Sequence, residues 1–300
     1  MVLGDVVDDI LVAPAGAIRP ESDVPARIRI APGGSAANVA AWLGALGEPV
    51  VFRGRVGAGD AARHTAALAR HGVDARIDED AAEPTGRIVV LVEGGRRTFL
   101  TDGGASRTLG PGALTDETLA GVAAVHLTAH SLLDAERRAQ GRNLIDRAHA
   151  LGVPVVVDPS SAGFLRDIGA DVFLDAVRGC RILLPNAAEA EVLTGLADPP
   201  RAARALTEVA ETVVVTCGAD GAWVAVRGAV TTSIPAEPAT VIDTTGAGDA
   251  FAAGVHRAAR RGADPVTAAR EGAAVAARAV ARHGARPAGT SVDRSGGPPV

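Results

Sequence analysis

The sequence contains no lysine: all thirty of its basic residues are arginine. A P-loop needs the lysine of its Gly-Lys-Ser/Thr signature, so the chain cannot hold a nucleotide through that motif. Catalysis through a lysine Schiff base is excluded on the same ground. Tyrosine is also absent, and aromatic residues make up only 2% of the chain, which leaves few partners for a stacked ring. A bound phosphate must therefore be met by a metal ion, backbone amides or arginine.

Acidic residues outnumber basic ones, and the formal net charge of -5 argues against a general nucleic-acid-binding protein. The two cysteines, Cys180 and Cys217, lie in apolar surroundings without metal-ligand spacing, so we expect free thiols in a reducing cytosol. The opening "MVLGDVVDDILV" lacks the basic segment of a signal peptide, and no uncharged apolar run approaches the ~20 residues of a membrane span. The sequence therefore predicts a cytoplasmic protein with neither a nucleic-acid nor a membrane partner.

Short apolar runs alternate with alanine-rich amphipathic segments along most of the chain. The predicted strands include "VLGDVV", "PVVFRG", "AAVHL", "VPVVVDP", "RILLPN" and "TVVVTCG", and the predicted helices include "AANVAAWLGALG", "AARHTAALARHG" and "AAEAEVLTG". Near-continuous apolar strands are typical of a parallel sheet covered on both faces. The alternation predicts a doubly wound α/β sandwich with a mainly parallel sheet. We expect one domain over residues 1–287 and a flexible tail at 288–300.

Two segments break this alternation. "AGAIRPESDVPARIRIAPGG" is rich in proline and charge around the short strand "ARIRI", and "GRIVVLVEGGRRTFLTDGG" alternates about Glu-Gly-Gly as a hairpin does. Together they predict a small antiparallel lid made of residues about 15–32 and 86–104. Such a sheet can cover a substrate or pair with a second subunit.

The stretch "VIDTTGAGDAFAAGV" places two glycines and a carboxylate where a helix begins. Amides at a helix N-terminus attract anions, and Gly246 and Gly248 let the backbone approach one closely. A carboxylate at that place, Asp249, suits a hydroxyl lying between the two: Asp249 accepts its proton while the amides stabilise a transferring phosphoryl group. Taken alone, the stretch fits an ordinary turn with an N-terminal aspartate equally well.

A second candidate lies in "APGGSAANVAAWLGALG". Gly33 and Gly34 permit close approach of a polyhydroxylated ligand, and Asn38 can both donate to and accept from vicinal hydroxyls. Asp9 lies at the end of the predicted first strand, which is where α/β proteins bind ligands. The bland alternatives are an asparagine near a helix cap and a solvated aspartate.

These stretches resemble the two signatures of the ribokinase-like (PfkB) carbohydrate kinase family. "PGGSAANVAAWLGALG" and "DTTGAGDAFAAGV" occur in the family's order and separation. Between and before them, "GDVVDD", "RVGAGD", "VVVDPSS", "LLPNAAEA" and "VTCGADGAWV" match further landmarks across nearly the whole chain. The resemblance implies a ribokinase-like fold with a small β lid. It also implies transfer of the γ-phosphoryl group of ATP to the hydroxymethyl group of a sugar.

The resemblance also implies roles for the matching positions. Asp249 would be the base, and Gly246, Ala247 and Gly248 would form an anion hole. The sugar would be held by Asp9, Gly33, Gly34 and Asn38. Asn186 and Glu189 would organise Mg²⁺ through water, and the nucleotide pocket would be lined by Asn186, Glu189, Thr216, Gly218 and Gly221. Asp243 and the Thr245 carbonyl match the place where some members bind K⁺.

Several points stay open at this level. Arg96 or Arg97 on the hairpin can reach the phosphates or simply point to solvent. A nucleoside is the alternative acceptor, which the scarcity of aromatic residues disfavours. A non-catalytic sugar-binding protein on the same fold is a third hypothesis, and Asp249 among intact glycines argues against it. Family analogy implies a homodimer formed through the lid.

Overall fold

The computed structural model describes residues 1–93 and 96–288, with the side chains of Glu93 and Arg96 left out. Within these residues nine strands form the main sheet: β1 (Val2–Leu3), β4 (Val51–Gly57), β5 (Asp74–Asp80), β8 (Val125–Thr128), β9 (Val155–Asp158), β10 (Ile182–Leu183), β11 (Thr212–Thr216), β12 (Ala222–Val226) and β13 (Thr232–Ile234). Their spatial order is β13-β12-β11-β10-β9-β8-β1-β4-β5. The pairings from β11 to β5 are parallel, and β12 and β13 add an antiparallel edge.

Ten helices flank this sheet in the described part of the chain: α1 (Ser35–Ala45), α2 (Ala61–Ala69), α3 (Asp116–Ala120), α4 (Ala135–Ala150), α5 (Ala162–Ile168), α6 (Ala170–Val177), α7 (Ala187–Thr194), α8 (Pro199–Leu206), α9 (Ala247–Arg260) and α10 (Pro265–Val280). Two apolar cores result, one on each face. Val2 packs into one core with Trp42 and Phe251, while its neighbour Leu3 packs into the other with Phe173. The predicted doubly wound fold is confirmed. None of the helices in residues 1–93 and 96–288 is long and apolar enough to cross a bilayer.

The small sheet contains β2 (Val7–Pro14), β3 (Ala26–Gly33), β6 (Thr85–Glu93) and β7 (Arg96–Gly104), in the order β3-β2-β6-β7. The β2–β3 and β6–β7 pairs are antiparallel, and β2–β6 is parallel. The predicted lid hairpin is therefore present, with its tip at residues 94–95 outside the described residues. The predicted tail falls outside them from residue 289 onward.

One sequence expectation needs correction. The segment "GDVVDD" was predicted to end the first strand of the main sheet, with Asp9 at its carboxyl end. The chain instead leaves the main sheet after Leu3, and Asp9 lies within β2 of the small sheet, opposite Ala31 and Ile88. The cause is Asp5, whose buried carboxylate turns away from the strand to accept the first amides of α1. The lid thus begins at residue 7, and residues 15–25 only connect two of its strands.

Candidate active site

A cavity of about 490 Å³ lies where α1, α7 and α9 begin, beneath the small sheet. Helix α7 follows the parallel strand β10, whereas α1 follows β3 of the small sheet and α9 follows the antiparallel edge strand β13. Most of the predicted site residues line this cavity: Asp9, Gly34, Asn38, Asn186, Glu189, Thr216, Thr245, Gly246, Ala247, Gly248 and Asp249. The structure therefore brings together residues as far apart in sequence as Asp9 and Asp249.

Four predicted residues do not line this cavity. Gly33 is just behind it: a Cβ there would lie 2.2 Å from the Asp9 carboxyl carbon. Asp243 is buried beneath the Gly246–Gly248 loop. Gly218 and Gly221 lie in the turn between β11 and β12, and a Cβ on Gly221 would lie 2.0 Å from the Ile234 carbonyl oxygen. Packing against Ile234 accounts for that glycine, and a nucleotide role for either one stays a prediction.

Helix α1 begins without a side chain of its own to cap it, because the preceding residue is Gly34. Asp5 supplies the cap from the end of β1: its Oδ2 accepts from the Ser35 amide at 2.6 Å and its Oδ1 from the Ala36 amide at 3.2 Å. Fixing the first turn in this way orients the side chains of Ser35 and Asn38 toward the cavity.

Helix α9 begins at Gly246 in the left-handed region, with φ 74°, and no side chain caps it. A Cβ at Gly246 would lie 2.5 Å from the Ala285 carbonyl oxygen, so only glycine fits there. The uncapped first turn gives the cavity a positive dipole end, and Ala247 and Gly248 line it. This geometry is that of an anion site.

Asp249 lies in the first turn of α9 and is held on both oxygens. Its Oδ1 accepts from the Ser35 hydroxyl at 2.7 Å, and its Oδ2 accepts from Asn38 Nδ2 at 2.9 Å. Asn38 Oδ1 in turn accepts from Arg286 Nε at 3.0 Å. Because a guanidinium only donates, Arg286 fixes the amide with its nitrogen toward Asp249.

The two carboxylates on this side of the cavity carry raised pKa values. Burial raises the pKa of Asp249 to about 7, against the hydrogen bonds from Ser35 and Asn38. Burial also raises the pKa of Asp9 to about 7, opposed by the positive charge of Arg286. A carboxylate whose pKa lies near neutrality is well matched to general-base work.

The other end of the cavity is built on α7, which is closed by a capping box. Asn186 Oδ1 accepts from the Glu189 amide at 2.9 Å, and Glu189 Oε2 accepts from the Asn186 amide at 2.9 Å. Asp158, the last residue of β9, lines the cavity with them. Burial raises the pKa of both carboxyl groups, and the charge of Glu189 raises that of Asp158 further.

This pair of carboxylates suits Mg²⁺. The ion prefers oxygen ligands and binds through one or two carboxylates together with water and substrate phosphates. The described residues contain no cluster of three or more histidine, cysteine, aspartate or glutamate side chains that would hold a metal by themselves. A divalent cation here would offset the burial of Asp158 and Glu189.

Asp243 precedes residues Gly246–Gly248, called the anion loop below, and accepts hydrogen bonds from three donors. Its Oδ1 accepts from the Thr245 amide at 2.7 Å and from Arg97 Nη2 at 2.6 Å, and its Oδ2 accepts from the Gly284 amide at 2.9 Å. Burial by itself would raise the pKa of Asp243, but these hydrogen bonds and the charge of Arg97 hold it below its ordinary value. Arg97 Nη1 also donates to the Thr244 hydroxyl at 3.0 Å.

Arg97 is one of the two hairpin arginines whose role the sequence left open. It extends from β7 and lines the cavity with a side chain only 21% exposed, so a purely solvated role does not match the structure. The side chain of Arg96 lies outside the described part of the structure.

Comparison with known sequences and structures accords with this site. The chain matches the family model described as "pfkB family carbohydrate kinase" over residues 1–291. The chain belongs to the PfkB family. The predicted membership of a carbohydrate kinase family is thereby confirmed.

Among its PfkB relatives are two bifunctional HldE proteins. The one from Caulobacter vibrioides is 31% identical over 280 residues, which cover 88% of this chain and 56% of that protein. The one from Caulobacter sp. is 33% identical over 291 residues, covering 90% and 57%. The chain therefore spans a little over half the length of these curated relatives.

Solved structures of this fold are similar over almost the whole chain. Adenosine kinase from Sinorhizobium meliloti superposes with a TM-score of 0.83 at 25% identity, covering 95% of this chain and 94% of that one. Arabidopsis thaliana ribokinase, complexed with ribose and ATP, gives 0.79 at 25% identity, covering 95% and 93%. The predicted ribokinase-like fold with a small β lid is confirmed.

Three residues of this PfkB site were missed from the sequence. Asp158 ends the apolar run "VVVDP", the same pattern used to select Asp9, and applying it there would have found Asp158. Ser35 directly follows the Gly-Gly pair that was selected. Arg286 lies in the segment after α10 and carries no local signal, because only the fold brings it to Asn38.

Proposed function

We propose that this protein transfers the γ-phosphoryl group of ATP to a primary alcohol, the hydroxymethyl group of a sugar. The observation that carries the proposal is Asp249, a partly buried carboxylate whose pKa is raised to about 7 and which lies beside the uncapped N-terminus of α9. Asp9 and Asn38 line the same cavity and offer hydrogen-bonding groups for sugar hydroxyls.

The proposed step is an in-line displacement. A bond forms between the acceptor oxygen and the γ-phosphorus while the bond from phosphorus to the β–γ bridging oxygen breaks, and ADP leaves. Asp249 takes the proton of the attacking hydroxyl. The amides of Gly246, Ala247 and Gly248 stabilise the charge on the transferring group. The Asp249 contacts with Ser35 and Asn38 keep the carboxylate in place until the acceptor arrives.

Asp158, Glu189 and Asn186 would hold Mg²⁺ at the other end of the cavity, where the ion neutralises phosphate charge when it is bound. Thr216 lies beside Asn186, with which it forms an isolated bridge, and completes this end. For the K⁺ suggested at Asp243 and the Thr245 carbonyl the fit is poor, because Arg97 already neutralises Asp243.

A nucleoside acceptor is the second candidate. Phe99, from β7, lines the cavity and offers a ring on which a nucleobase can stack. The Phe99→Leu variant separates the two: turnover of a nucleoside should fall strongly, whereas turnover of a sugar should change little.

A coupled assay of ADP release from Mg²⁺-ATP, run across a panel of sugars and nucleosides, tests the proposal. We expect acceptor-dependent release with one class of acceptor and none with the Asp249→Asn variant. ATP binding without turnover on any primary alcohol would reject the proposed acceptor class. No ATP binding by thermal shift would favour a non-catalytic sugar-binding protein.

We also propose a cytoplasmic homodimer formed through the small sheet. Ile28, Ile30 and Leu100 are 63%, 72% and 56% exposed, and the strand register puts Ile30, Val89 and Leu100 in one row across the sheet. A continuous apolar face of this kind favours association. Sedimentation velocity should give a dimer that Ile30→Asp dissociates; a wild-type monomer would reject it.

A further inference from the structure

The charge balance beneath the anion loop is unusual for a phosphoryl-transfer site. Asp243 has a side chain 8% exposed and lies three residues before Gly246, the cap of the helix whose amides are to bind a phosphoryl group. A buried unpaired carboxylate there would repel that group and would be unfavourable to ionise. In the described residues the cationic partner of Asp243 is Arg97, whose Nη2 contacts Oδ1 at 2.6 Å.

We propose that Arg97 supplies the fixed positive charge beneath the anion hole, in place of a monovalent metal ion, so that turnover does not need K⁺. The inference rests on the proposed kinase reaction. Arginine stays charged at any physiological pH. Its planar guanidinium donates to both Asp243 and Thr244, so it holds these two residues together.

Arg97 belongs to the same small sheet as Asp9. Arg97 pairs with Val92 across β6–β7, and β6 pairs with β2, which carries Asp9. One small sheet therefore bears both the carboxylate that faces the acceptor and the cation that completes the anion hole. Displacing the sheet removes both from the cavity, so the site is complete only with the sheet in the position seen here.

Removal of the guanidinium should expose a site for K⁺. Asp243 would lose its cation, and the Thr245 hydroxyl lies beside its carboxylate, whose pKa it helps to lower. A carboxylate and a hydroxyl oxygen side by side are hard-oxygen ligands for a metal cation. The Arg97→Met variant is thus expected to become dependent on the ion that the wild type does not need.

The first test measures kcat/KM in potassium chloride and in tetramethylammonium chloride at equal ionic strength. Wild type should change by less than about twofold. Arg97→Met should fall about 100-fold in tetramethylammonium, as for loss of one oxyanion-stabilising group, and recover at least tenfold in potassium. Arg87→Met, which removes an exposed arginine from the neighbouring lid strand, is the matched control and should behave as wild type. Arg97→Lys keeps the charge and should stay insensitive to potassium.

The second test needs no turnover. Potassium should raise the melting temperature of Arg97→Met and leave wild type and Arg87→Met unchanged. If no acceptor is phosphorylated but this pattern holds, the assignment of Arg97 stands and the proposed reaction is wrong. Activation or stabilisation of the wild type by potassium, or an Arg97→Met variant indistinguishable from Arg87→Met, would overturn the assignment.

Discussion

Helices α7 and α9 both begin at the same cavity, yet they present opposite charges to it. At α7 the Asn186–Glu189 capping box satisfies the first turn internally and leaves carboxylate oxygen facing the cavity. At α9 a left-handed glycine takes the cap position and no side chain covers the amides. A glycine in place of a capping side chain costs a helix only about a few tenths of a kcal/mol, so α9 gives up little stability to keep its dipole end open. The residue at the cap decides whether a helix end attracts a cation or an anion.

The largest effect should come from removing the base at the open end. Asp249→Asn keeps the size of the side chain and removes its ability to take a proton, so turnover should fall about 10³-fold. ATP affinity, measured by thermal shift or calorimetry, should stay nearly unchanged. Asp264→Asn, at the exposed N-cap of α10, is the control for a carboxylate at a helix start. A variant with most of its activity would contradict the mechanism.

Substitutions of the two glycines at the start of α9 should both lower turnover, but only one of them should also lower stability. Gly248 has no heavy atom within 4 Å of an added Cβ and lines the cavity. Gly248→Ala should therefore fold normally and lose about 10²-fold in turnover, because the methyl group occupies the anion site. Gly246→Ala should also lose about 1–3 kcal/mol of stability through its positive φ and the Ala285 contact. Equal melting temperatures for the two variants would contradict this distinction.

At the start of α7, the capping role of Glu189 can be separated from the effect of its negative charge. Glu189→Gln preserves the capping box, since glutamine also accepts the Asn186 amide, but removes the negative charge. We expect unchanged thermal stability and about tenfold weaker Mg²⁺ binding, measured as the Mg²⁺ concentration that gives half-maximal turnover. Glu189→Ala should show the same magnesium defect and lose about 1 kcal/mol of stability as well. Glu191→Gln, an exposed neighbour on α7, should change neither property.

The smallest effect concerns pH. Because burial raises the pKa of Asp249 to about 7, kcat/KM should fall only about twofold between pH 8 and pH 7 and more steeply below. Stability should change the other way. A carboxyl group with a raised pKa in the folded state stabilises the fold while protonated, and for Asp9 and Asp249 that contribution is lost as pH rises through about 7. Burial also raises the pKa of Asp158 and Glu189, the proposed Mg²⁺ ligands, and Mg²⁺ binds their ionised form, so Mg²⁺ should raise the melting temperature more at pH 8 than at pH 6. An equal gain at both pH values would count against metal binding by the buried carboxylates.

The sequence was sufficient for whatever depends on local pattern. The helix starts predicted after the Gly33-Gly34 pair and at Gly246 to Gly248 are those of α1 and α9, because a few adjacent residues determine each of them. It was insufficient where the fold joins distant segments. Arg286 reaches Asn38 across 248 positions and Arg97 reaches Asp243 across 146, and neither arginine lies in a motif that announces its partner. The prediction for Asp9 was wrong for the same reason. Asp5 caps a helix that begins thirty residues further along the chain, and the first strand ends before it.

The small sheet carries both Asp9, on β2, and Arg97, on β7. Under the proposed assignments, in which Asp9 binds the acceptor and Arg97 supplies the charge beneath the anion hole, exchanging this sheet exchanges both properties together. A new acceptor preference brought in with a sheet that has no arginine at position 97 would arrive with a demand for potassium, and the ionic-strength-matched assay would reveal it. Substrate range and salt requirement are thereby inherited as one trait.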